Sequence, residues 1–77
     1  MEHYKDYAIY LFNKGLKKCS FFGIEQSKQN SKDIVLMELL LIKEALHNVS
    51  DIDDLHVNEI KKTINFYQKV TQIIQDL

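Results

Sequence analysis

The chain has no arginine, no proline and no tryptophan, one cysteine and two glycines among its 77 residues. Each of these absences excludes something. All ten basic residues are lysine, so the forked, bidentate contacts on which specific readers of nucleic acid rely are unavailable, and no nucleic-acid partner is expected. The lone Cys19 forms no internal disulfide, and no Cys/His spacing makes a zinc cluster. A domain this small buries only about 60% of the surface its unfolded chain exposes. With disulfide and zinc missing, self-association is the stabilising device that remains. There is no glycine-rich phosphate loop. No stretch approaches the roughly 18 apolar residues of a membrane span, and the start, MEHYKDYAIYLF, lacks the basic head and long apolar run of a signal peptide. The expectation is a cytoplasmic protein with no membrane partner and no cofactor.

The periodicity that is present is helical almost throughout, with no strand-like alternation, and predicts one all-α domain: a three-helix bundle with helices over 3–22, 31–48 and 53–76. The second helix is expected to be central. At about 100° per residue, Ile34, Val35, Ile42, Ala45, Leu46 and Val49 fall on one side, flanked by Leu39 and Leu41, and that side is read as core. Leu36, Met37 and Leu40 stand on the other side among Asp33, Lys43, Glu44 and His47, an apolar patch that needs a cover. Asn30 or Ser31 is the expected N-cap, after a polar loop through Glu25–Gln29.

In the first helix Tyr4, Tyr7, Ala8, Leu11, Phe12, Leu16, Cys19 and Phe22 are spaced as one apolar face interrupted by Gly15. A mid-helix glycine costs about 1 kcal/mol relative to alanine; Gly15 therefore marks either a close helix crossing, the preferred reading, or the end of a shorter helix. Tyr10 and Phe21 point away as a second, exposed aromatic contact, and Phe22-Gly23 stops the helix. The third helix, capped by Ser50, Asp53 or Asp54, carries two apolar stripes: Val57, Ile60, Ile64, Tyr67, Thr71 and Ile74, and beside them Phe66, Val70, Ile73 and Leu77.

Motifs for chemistry are few. Asp51-Ile52-Asp53-Asp54 begins like a calcium loop but lacks its turn glycine and closing glutamate. Ser31 lies between Asn30 and Lys32, not between the acidic and apolar neighbours of the arm-bearing serine of acyl carrier proteins. Cys19 sits on an apolar face, as a buried inert thiol would. Glu44-Ala45-Leu46-His47 puts a carboxylate and an imidazole on one helix face, a step used in di-metal bundles. With Glu38 it defines an alternative metal site of Glu38, Glu44 and His47. Glu38 falls within the apolar arc, where a carboxylate is costly unless paired; the expected partner is a lysine or a tyrosine hydroxyl at the core edge.

Taken together these features predict a non-enzymatic protein–protein interaction module, a small regulator, inhibitor or adaptor acting as a homo-oligomer, most simply a homodimer, and open to a second protein partner, through Leu36, Met37 and Leu40 with Phe66, Val70, Ile73 and Leu77. A structural subunit of a larger assembly is the other alternative. The lysine-, isoleucine- and asparagine-rich composition fits an AT-rich, bacterial or phage coding sequence.

Overall fold

The computed structural model describes residues 3–50 and 56–77. The expectations placed on Asp51, Asp53 and Asp54, as helix caps or as an acidic loop, lie outside the described residues. The described chain forms α1 (Tyr4–Phe21), α2 (Lys28–Ser50) and α3 (Val57–Asp76), and each helix packs against both others. No strand occurs among the described residues.

A shared core joins Ala8 of α1, Val35 and Leu39 of α2, and Val70 and Ile74 of α3, each no more than 2% exposed. Full burial of a valine, leucine or isoleucine side chain contributes roughly 1.5–3 kcal/mol. Aromatic rings close one side of it: Phe66 lies 5.2 Å from Tyr4 and 5.6 Å from Tyr7, centroid to centroid. Polar contacts lock α2 to α3. Lys32 Nζ donates to the Gln75 carbonyl at 2.8 Å, where a cation also meets the negative end of the α3 dipole, and Lys43 Nζ donates to Thr71 Oγ1 at 3.3 Å.

Gly15 is the close crossing. It is buried in the middle of α1, and a Cβ there would lie 2.4 Å from Ser31 Oγ and 3.0 Å from both the Ser31 carbonyl oxygen and Val35 Cγ2. The missing side chain lets the Ser31 hydroxyl reach the Phe12 carbonyl and donate a 2.6 Å hydrogen bond across the helices. Ser31 is wholly buried, a joint between helices and not a cap. The N-cap is Ser27: its hydroxyl accepts the Asn30 N–H at 3.1 Å and its carbonyl accepts the Ser31 N–H at 3.0 Å. The helix thus begins ahead of its first apolar residue, because a first turn lying in solvent needs no apolar face.

At the other end of α1, Gly23 takes φ +73°. Its N–H bonds the Ser20 carbonyl (3.1 Å) while the Ile24 N–H bonds the Cys19 carbonyl (2.9 Å), satisfying the last carbonyls of the helix through a left-handed turn. This holds Phe21 and Phe22 in a defined turn.

Burial and the Tyr67 hydroxyl, by charge and by hydrogen bonding, raise the Tyr7 phenol above its ordinary value, with a smaller push from Tyr10. A raised native value means that the unfolded chain ionises first. The stability this residue contributes is complete below about pH 10, the ordinary tyrosine value, and is lost as pH rises through the native one. Phenolate absorbance should show a tyrosine titrating above the ordinary range, absent in Tyr7→Phe, and that variant should lose less stability than wild type above pH 10.

Candidate apolar docking face

On α2 the buried positions are Ser31, Val35 and Leu39, and Leu36 and Leu46 are half-buried. At about 100° per residue, the centre of this buried side is rotated by roughly 60° from the apolar face expected from the sequence. Four residues assigned to the core or its flank are therefore outside: Leu41 is 58% exposed, Val49 45% and Ile42 38%, and Ala45 is exposed. Ile34 is half-buried at the edge. Turned about its axis in this way, α2 presents Ile34, Met37, Leu41 and Ala45 as a stripe pointing away from its own core.

The residues expected to meet a partner divide between the two sides. Met37 and Leu40 are exposed as anticipated, at 58% and 46%. Leu36 packs on the home core, as do Phe66, Ile73 and Leu77, and Val70 is completely buried in it. The second stripe of α3 is thus occupied within the chain, since a long helix beside two neighbours uses both of its apolar faces.

The stripe continues onto the end of α1. Phe22 (61% exposed) joins Ile34 and Met37 in lining a groove of about 360 Å³, with Asp33 and Glu38 at its polar edge. Beside it, Phe21 is 85% exposed, its ring edge-on to Phe22 at 5.6 Å. Phe21 is exposed as expected, whereas Phe22 and Leu41, which periodicity assigns to the apolar face of α1 and to the core flank of α2, lie outside. Spacing alone does not separate them from core residues, because Phe22 follows the last turn of α1 and α2 is turned about its axis.

Glu38 stands between this groove and a smaller one, of about 180 Å³, along the seam of α1 and α2. It turns out of the apolar arc and pairs with Lys18 at 2.5 Å, its side chain 47% exposed. The pairing is the expected one, although at this exposure it is worth at most about 1 kcal/mol. Glu44 and His47 are exposed, and no group of three potential metal-ligating side chains forms among the described residues. Glu38, Glu44 and His47 are not brought together. Cys19 is a free thiol at 0% exposure. No helix among the described residues is long and apolar enough to cross a membrane.

Compared with known protein families, with curated proteins and with solved structures, the chain matches none, so its functional reading rests on the exposed stripe of α2.

Proposed function

We propose that this chain is a non-catalytic protein–protein interaction module, a small helical regulator, inhibitor or adaptor that acts as a homodimer. The observation that carries this reading is the uncovered stripe of α2, on which Met37 and Leu41 are each 58% exposed. Apolar side chains scattered singly over a surface are ordinary, but a contiguous row on one helix face, extended by two phenylalanines, is the arrangement of an association surface. The cost of leaving such a row in water is removed when a second apolar face covers it.

The interface of this reading consists of Met37 and Leu40 with Ile34, Leu41 and Phe22. Leu36 and the α3 residues Phe66, Val70, Ile73 and Leu77 serve the fold. Sedimentation equilibrium of the untagged chain across micromolar concentrations tests the reading. A reversible monomer–dimer equilibrium, or a dimer throughout, is expected; a monomer at every concentration overturns it.

A further inference from the structure

We infer that two copies join about a two-fold axis beside Met37, with Phe21 of each chain seated in the groove formed by Phe22, Ile34 and Met37 of the other. This rests on the association reading above and adds its geometry.

Three observations lead to it. The first is a knob next to a hole. Phe21, at 85% the most exposed large apolar residue, adjoins the apolar groove of about 360 Å³ that its neighbour Phe22 lines. A closed apolar cavity of about 150 Å³ already accommodates benzene, so the groove has room for a phenyl ring. A knob and a hole on the same face are self-complementary under a two-fold rotation, which closes the assembly at two copies.

The second is preorganisation. The left-handed turn at Gly23 and its two backbone hydrogen bonds hold the end of α1, and the edge-on contact with Phe22 orients the Phe21 ring. The backbone that carries the ring therefore needs no rearrangement when the ring docks.

The third is charge. The groove is edged by Asp33 and Glu38. Glu38 is already paired with Lys18 of its own chain, whereas Asp33 accepts, among the described residues, only from the neutral Gln29 amide; Lys17, exposed and four residues before Phe21, lies on the same face of α1 and would arrive beside Asp33 with the incoming ring.

The test places the photo-cross-linker p-benzoylphenylalanine at position 21 of the full chain. Isotopically light and heavy chains are mixed, irradiated and mapped by mass spectrometry. The expected product joins position 21 of one isotopic form to Met37, or to its neighbours in the groove, of the other. In parallel, Phe21→Ala should weaken dimerisation at least 30-fold, as loss of a central anchor does, with unchanged helicity because the ring is outside the monomer's core. A dimer that cross-links elsewhere, or is untouched by Phe21→Ala, overturns this seating and leaves the association reading standing. A chain that is monomeric throughout overturns both.

Discussion

Replacing Gly15 by alanine should destabilise the protein by about 2–3 kcal/mol, the cost of overpacking a close contact, although the same change in an open helix is stabilising by about 1 kcal/mol. The sign reverses because the new methyl would sit 2.4 Å from Ser31 Oγ and 3.0 Å from the Ser31 carbonyl. A hydroxyl can rotate, but only by abandoning its bond to the Phe12 carbonyl, and a backbone carbonyl yields only if α1 and α2 move apart. A loss of this size is a large part of the stability of a chain this small. Urea denaturation of Gly15→Ala, Ser31→Ala and the double variant measures it. Ser31→Ala alone should cost about 1 kcal/mol through its hydrogen bond. The double variant should be more stable than the sum of the two, because the offending oxygen is gone. Strict additivity, or a stabilised Gly15→Ala, would show that the helices do not cross closely here.

Met37→Glu should have the largest effect on assembly. In the monomer the side chain is 58% exposed, so the new carboxylate stays solvated and stability should change by no more than about 0.5 kcal/mol. In the proposed dimer the same carboxylate would be buried under the incoming Phe21 ring beside Asp33 and Glu38, a third negative charge that the single incoming Lys17 cannot balance, at a cost of several kcal/mol. Self-association should weaken at least 100-fold. Sedimentation equilibrium reads the assembly and thermal unfolding at low concentration reads the monomer. Val70→Glu is the informative contrast: Val70 is 0% exposed within the chain's own core, so that variant should fail to fold, whereas Met37→Glu should fold and stay apart. If Met37→Glu retains the wild-type mass in solution, the α2 face is not the interface.

The contrast between these residues also shows what could be read without the fold. The helical class, the order of the elements and the stop at Gly23 follow from local preferences: apolar residues three and four apart, no proline, and a glycine where the backbone must turn left-handed. The role of Gly15 was legible for a related reason. A glycine inside an unbroken apolar stripe is unfavourable unless something needs its space, and Ser31 does. The salt bridge of Glu38 was legible as a requirement, a carboxylate in want of a cation, but its partner was not, since Lys18 is twenty residues away in the chain.

Tertiary structure alone decided which part of the apolar circumference of α2 is covered by its own chain. Periodicity averages over every apolar side chain on a helix, whether its neighbour belongs to the same molecule or to another, and so marked Ile42, Ala45 and Val49 as core. Packing is pairwise and short-ranged. α1 can approach α2 closely only where Gly15 opens a gap, opposite Ser31 and Val35, and α3 completes the core around Leu39, Val70 and Ile74. With both neighbours placed there, Met37, Leu41 and Ala45 are left exposed. The sequence by itself determined that α2 is apolar on more than one side; the packing of α1 and α3 decided which side is left for a partner.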